Sequence, residues 1–252
     1  MRRRDFIYAA VSIPFVTTAT TAIAKASTPT IVAHGGGTLS WSFARQLRGL
    51  AGGRDAQILL APYSAKNPSK RAAEELAKLK GLGFRNIEIL NLSSFQAARS
   101  QIRNADMLWF AGGSQRRQAE TLQSVPGVQT ELREAHSNGV IMAGSSAGAA
   151  VMSRVMITGG KKGNVKTQPG LGFWENVVLD QLVDARKRKY RLREVISANR
   201  RLLGLGLDEG TWVEYSNGIA TVGGRGVARL VYWSDGIKEI ERGKGAQFKL
   251  SG

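Results

Sequence analysis

The chain has 252 residues, 36 Lys plus Arg against 19 Asp plus Glu, a formal net charge of +17 and no cysteine. Without cysteine there is no disulfide framework, thiol nucleophile, Cys-ligated zinc or iron–sulfur cluster, and two histidines make a His-rich site improbable, so no metal or cofactor is expected. Apolar residues make up 42%, enough for one sizeable core, and the surplus of cations points to nucleic acid, an anionic membrane or an acidic ligand.

Residues 1–26 read as an export signal. Arg3-Arg4-Asp5-Phe6-Ile7 resembles the twin-arginine motif of bacteria, and an uncharged stretch follows over 8–24. Ala22-Ile23-Ala24 and Ala24-Lys25-Ala26 each offer a small-x-small cleavage site. Thr17, Thr18, Thr20 and Thr21 keep the stretch only mildly apolar, which suits a removed signal better than an anchor. The expectation is a single domain over 27–252, exported to the periplasm or beyond, with no membrane contact after cleavage. An uncleaved N-terminal anchor is the alternative.

Residues 30–34 read as a short buried strand that runs into Gly35-Gly36-Gly37. Residues 40–50 have helical spacing, with Trp41, Ala44, Leu47 and Leu50 on related faces. A strand over 57–61 stops at Pro62, and Ser69 is expected to cap a helix through Leu82. A strand over 86–90, a helix over 95–103 and a strongly apolar strand over 107–111 follow, the last ending in Gly112-Gly113. Helices over 115–124 and 128–138 are separated by Pro126-Gly127, and a fifth strand over 140–143 leads into a glycine- and serine-rich turn and a helix. This alternation predicts an α/β, doubly wound, mostly parallel sheet with helices on both faces. Residues 158–172 are rich in Gly and Lys and read as a mobile loop, and 174–182 contain a short apolar run. Residues 186–201 read as a basic helix with Tyr190, Leu192, Val195 and Ile196 as its buried stripe. Residues 203–207 return to strand character, and short strands over 212–215, 219–222 and 228–233 are expected to form an antiparallel C-terminal extension of the sheet.

Chemistry concentrates at Gly144-Ser145-Ser146-Ala147-Gly148-Ala149, between a buried strand and a helix. That context fits a nucleophile elbow, in which a sharp turn lifts a hydroxyl above the sheet and the next N–H can stabilise an oxyanion. Ser146 is the better candidate, because Ala147 and Gly148 then open the helix. A turn that only packs closely or binds phosphate is the plain alternative.

The same six residues resemble the Gly-Thr-Ser-Ala-Gly-Ala elbow of the cyanophycinase and alpha-aspartyl dipeptidase family of serine peptidases. Gly112-Gly113-Ser114-Gln115 is similar to that family's Gly-Gly-Asp-Gln turn. Asp180-Gln181-Leu182 with Arg186, Arg188 and Arg191 resembles the cyanophycinase stretch Asp-Gln-His-Phe-x-x-Arg-x-Arg-x-x-Arg. Gly204-Leu205-Gly206-Leu207-Asp208-Glu209 resembles its Gly-Ile-Gly-Ile-Asp-Glu segment. The matches fall in order over nearly all of the chain after residue 26. The resemblance implies a class I glutamine amidotransferase-like fold, a homodimer, and a hydrolase cutting aspartyl peptides of the β-Asp-Arg type through an acyl-enzyme.

Residue by residue, it implies Ser146 as nucleophile, Glu209 as triad acid, and the N–H groups of Gly113 and Ala147 as the oxyanion hole. Gln115, Asp180, Gln181, Arg186, Arg188 and Arg191 would line the substrate site. Arginine forks suit the carboxylates of an aspartyl backbone, and Asp180 suits the guanidinium of a β-Asp-Arg unit. The chain departs from the pattern at Leu182, where the family has its catalytic histidine, and at Ser114, where it has aspartate. A serine hydroxyl without a base is a weak nucleophile, so the alternative is a catalytically inactive member that binds acidic or Asp-Arg peptides. His34 ends the first strand, at the edge where such sheets bind ligands, and is the candidate replacement base; its plain reading is a strand-end histidine bonded to backbone. His136 reads as a solvated or C-terminal capping residue, and Lys161 or Lys162 as solvated loop cations. The cluster from Arg186 to Arg201 lacks any nucleic-acid motif, so an acidic peptide is the favoured partner and nucleic acid is not.

Overall fold

The computed structural model describes residues 28–250; the expected export signal lies outside them. Strands and helices alternate as β1 (Thr30–His34), α1 (Trp41–Ala51), β2 (Gln57–Ala61), α2 (Pro68–Gly81), β3 (Asn86–Ile89), α3 (Phe95–Asn104), β4 (Met107–Phe110), α4 (Gln115–Gln123), α5 (Val128–Ser137) and β5 (Ile141–Ser145). Side-chain caps start the helices. Ser40, Asn67, Ser94 and Ser114 accept first-turn N–H groups of α1, α2, α3 and α4. For α2 the cap is Asn67 rather than the expected Ser69, because Pro68 has no N–H to leave unpaired and its φ is preset for the first helical position.

β3, β2, β4, β5 and β1 lie side by side in that order, each pair parallel. Such strands are covered on both faces. On one face Phe43 and Leu47 of α1 and Leu79 of α2 pack with Val32, Leu60 and Trp109. On the other, Ile102, Leu122 and Leu132 of α3, α4 and α5 pack with Ile31, Leu59 and Phe110. Trp41 does not join the buried stripe of α1, which is Phe43, Ala44, Leu47 and Ala51: it is 73% exposed. The carboxyl ends of β1, β4 and β5 are aligned, with His34 opposite Ser145 and Phe110 opposite Gly144.

After the one-turn α6 (Ala147–Ala150) come β6 (Val155–Lys161) and β7 (Asn164–Pro169), a paired hairpin. The expectation of a mobile loop here is therefore corrected. Ile157 is buried with α7 (Lys189–Ala198), and Val155 and Val165 pack beside it, so a polar composition hides a strand with one apolar face. β8 (Val177–Gln181), β9 (Leu203–Leu207), β10 (Thr211–Ser216), β11 (Ile219–Gly224), β12 (Ala228–Trp233), β13 (Ile237–Arg242) and β14 (Gln247–Lys249) complete the chain. β10, β11 and β14 extend the main sheet antiparallel from β1, to eight strands. The strand expected over 228–233 does not join that extension; it and β9 lie outside the main sheet. They pair with β8 and β13 in a separate four-stranded sheet, against which α7 packs: Gly204 and Gly206 leave space for Leu192 and Ile196. α7 is also shorter than expected. Arg186 precedes it, Arg188 stands at its cap, and Arg191 takes the buried place foreseen for Tyr190. Among the described residues no helix is long and apolar enough to cross a membrane.

Candidate active site

β5 ends at Ser145 and the chain then turns sharply, with Ser146 at φ 55° and ψ −118°. A positive φ costs a residue with a side chain about 1–2 kcal/mol, so the surroundings must hold it. The Ser146 N–H donates to His34 O at 2.9 Å, tying the turn to β1. Closeness demands glycine on either side: a Cβ at Gly148 would lie 1.9 Å from Phe110 O, and one at Gly144 2.4 Å from Gly148 O. The turn before α4 stands alongside, since a Cβ on Gly112 would come 3.7 Å from Ser146 Cβ. Ser64 braces it: its hydroxyl donates to Gly112 O (2.7 Å) and its carbonyl accepts from the Ser114 N–H (2.9 Å). Ser114, at the site of the family's aspartate, serves as the cap of α4. Among the described residues the N–H groups of Gly113 and Ala147 have no hydrogen-bond acceptor, so both expected oxyanion donors are free.

No side chain among the described residues hydrogen-bonds the Ser146 hydroxyl. Leu182, also in a left-handed conformation at φ 56°, stands beside it. A Cβ on Gly36 would meet Leu182 Cδ2 at 3.1 Å and Ser146 Cβ at 3.4 Å, so Leu182 and Ser146 flank the same glycine. His34 is turned elsewhere. Its Nδ1 accepts the Gly36 N–H at 3.1 Å and lies 3.1 Å from Ser145 Oγ, so the ring proton sits on Nε2 and the Ser145 hydroxyl donates. Burial against Phe43 lowers its pKa to about 4 and keeps it neutral. His34 is thus the backbone-bonded strand-end histidine of the plain reading. His136 is buried rather than solvated: its ring stands edge-on to Phe173, its Nδ1 faces Val140 O, and burial lowers its pKa. Lys161 and Lys162 line neither cavity beside Ser146. Glu209 is exposed, lies against Gly37, and has no hydrogen-bond or ion-pair partner among the described residues.

Two cavities meet at Ser146. The first, of about 540 Å³, lies towards α7 and is walled by Gly113, Ser114, Gln115, Gln181, Arg186, Arg188, Tyr190 and Arg191, with Thr158, Gly159 and Gly160 of the hairpin. It therefore gathers most of the expected substrate residues. Gln115 also braces the hairpin by donating to Ile157 O (2.5 Å). Asp180 sits behind this wall, 1% exposed, with Oδ1 3.4 Å from the Arg191 guanidinium and accepting from the Gln181 N–H at 3.1 Å. It holds Arg191 in place rather than offering itself to a ligand's guanidinium. Burial raises its pKa to about 6, against the opposing pull of Arg191, Arg188 and Arg186. Crowding has a matching effect on Arg188, whose pKa is lowered by burial and by its two arginine neighbours.

The second cavity, of about 620 Å³, lies between α1 and α2 and includes Thr38, Leu39, Trp41, Arg71, Glu75, Trp109, Ser145 and Glu209. The sequence reading singled out only Ser146 and Glu209 of its lining. Helical spacing puts Trp41 on the apolar face of α1 and the apolar run over 107–111 puts Trp109 in the core; of the two, only Trp109 is buried. Among the described residues no group of three or more His, Cys, Asp or Glu is placed to hold a metal ion.

Residues 31–223 match the profile of peptidase family S51. The cyanophycinase of Trichormus variabilis is 29% identical over 199 residues, which are 74% of this chain and 67% of that protein. The cyanophycinase of Synechococcus elongatus is 30% identical over 193 residues, 72% of this chain and 60% of that protein. A solved peptidase from an acI-B1 Actinobacterium superposes with a TM-score of 0.67 at 18% identity, over 89% of this chain and 98% of that one, a likeness of fold. The arrangement is the expected class I glutamine amidotransferase-like one.

Proposed function

Because this chain belongs to peptidase family S51, the cyanophycinase-like serine peptidases, we propose that it binds aspartyl peptides of the β-Asp-Arg type across the elbow and hydrolyses them through Ser146. The observation that carries this reading is the cationic cavity of Arg186, Arg188 and Arg191 opening directly onto Ser146. Planar guanidinium forks suit carboxylates, and an arginine pinned from behind by Asp180 loses little freedom on binding. A carbonyl held there faces the Ser146 hydroxyl. Attack forms the Oγ–C bond and moves the carbonyl π electrons onto oxygen, where the Gly113 and Ala147 N–H groups can receive them. Collapse expels the amine, which takes up a proton, and water then releases the acid from the acyl-enzyme.

The serine proton has no side-chain acceptor here, so it passes to solvent or to the departing amine. Loss of one triad member typically lowers turnover by about 10^4 to 10^6. Hydrolysis is accordingly slow while binding stays intact. A second reading, binding with no turnover, draws on the placement of Leu182 beside Ser146. One experiment separates the two: incubation with a serine-directed phosphonate and with β-Asp-Arg, for wild type and Ser146→Ala. Labelling and slow release of arginine, both lost in the variant, support hydrolysis. Peptide binding without labelling or release supports the binder. Absence of binding removes both.

A further inference from the structure

A β-Asp-Arg peptide has a cationic end as well as an acidic one, and the first cavity has nothing for it. Its walls carry arginines, and Asp180 is buried behind them in its pair with Arg191. A guanidinium placed there would meet like charge. The second cavity shares Ser146 with the first, so a peptide lying across the elbow enters both. Two carboxylates, Glu75 and Glu209, line it, together with two cations, Arg71 and Lys78, both paired with acids of α2. Glu75 is buried and already engaged: Lys78 Nζ lies 2.7 Å and Trp109 Nε1 3.0 Å from its oxygens, with Arg71 at 3.9 Å. Glu209 is the one carboxylate lining either cavity that has no partner among the described residues. The indole of Trp41 lines the same cavity, 73% exposed, whereas Trp109, Trp174 and Trp212 are buried and Trp233 is half-buried. A carboxylate and a free indole in one cavity make a receptor for a flat cation, by ion pairing and cation–π stacking.

We infer that Glu209 and Trp41 form a second subsite, on the far side of Ser146 from the arginines, which takes the guanidinium of the ligand's leaving half. This rests on the proposed aspartyl-peptide reading and gives Glu209 a role that needs no histidine. A substrate is then read at both ends: carboxylates at Arg186, Arg188 and Arg191, the cation at Glu209 and Trp41.

Calorimetric titration in a Ser146→Ala background tests it, with β-Asp-Arg and its neutral isostere β-Asp-citrulline. The parent protein is expected to prefer the arginine peptide by about tenfold, and Glu209→Gln to remove most of that preference. Trp41→Ala should weaken the arginine peptide by about three- to tenfold and the citrulline peptide less. Arg191→Ala should weaken both alike. No preference in the parent protein, or a preference that survives both Glu209→Gln and Trp41→Ala, overturns the subsite while leaving the aspartyl-peptide reading standing. If neither peptide binds, the aspartyl-peptide reading falls, and the subsite with it. Both substitutions fall on exposed side chains, so the variants are expected to fold.

Discussion

Leu182 stands beside Ser146 on the other flank of Gly36, and leucine can neither take nor give a proton. Leu182→His should place an imidazole beside the hydroxyl and raise Ser146-dependent turnover of β-Asp-Arg by at least about 100-fold, a general base being worth about 10^2 to 10^4. Unchanged turnover in a folded variant would show that the geometry here does not suit a base at this position. Asp180 gives a second test, through pH. Its pKa is raised to about 6, so it is ionised at pH 7, cancelling part of the positive charge of Arg186, Arg188 and Arg191, and protonated at pH 5. The peptide's two α-carboxyls, with ordinary values of about 3.5, stay ionised over that range. A protonated Asp180, or an asparagine, keeps its oxygen beside Arg191 while the opposing charge goes, so affinity should rise several-fold as pH falls from 7 to 5, and Asp180→Asn should hold it near the low-pH value throughout. Titrations at pH 5, 6 and 7 check this; identical pH dependence in wild type and variant would exclude Asp180 as its source. At this scale the sequence revealed the elbow, because Gly144 and Gly148 have spacings that backbone contact imposes. It did not reveal that Asp180 is buried, that His34 turns to Gly36 and Ser145, or that Trp41 is exposed. Those depend on what packs alongside.

Among the elements, the parallel strands and their helices were legible from hydrophobic period and caps. The hairpin of β6 and β7 was not, since Gly159, Gly160, Lys161 and Lys162 outweigh in composition the apolar face at Val155 and Ile157. Nor was the split of the C-terminal strands into two sheets, which follows from long-range pairing. Two substitutions probe the elements that carry the site. Asn67→Ala removes the cap of α2, which contributes Arg71 and Glu75 to the second cavity. It should cost about 1 kcal/mol, a fall of about 2–4 °C in Tm by calorimetry. Gly148→Ala should yield no stable fold, because its Cβ would overlap the backbone carbonyl of Phe110 in the neighbouring strand; a Tm near wild type would contradict the close approach of β4 to the elbow.

For the molecule as a whole, the charge surplus resolves into parts. Arg2, Arg3, Arg4 and Lys25 belong to the segment proposed as a twin-arginine signal, while Arg186, Arg188 and Arg191 converge on one cavity. Residues 1–26 fused to a folded reporter should direct its export in a bacterium with a twin-arginine pathway. Arg3→Lys together with Arg4→Lys should abolish it, and export unaffected by that pair would remove the signal reading. The central claim concerns the elbow: an aspartyl-peptide site of the S51 kind whose serine works without a side-chain base. Its most direct test is the single-turnover rate of β-Asp-Arg cleavage by wild type, Ser146→Ala and Leu182→His. Slow cleavage by wild type, none by Ser146→Ala and a marked gain in Leu182→His are predicted. Cleavage that persists in Ser146→Ala, or a wild-type rate that Leu182→His does not improve, would contradict it.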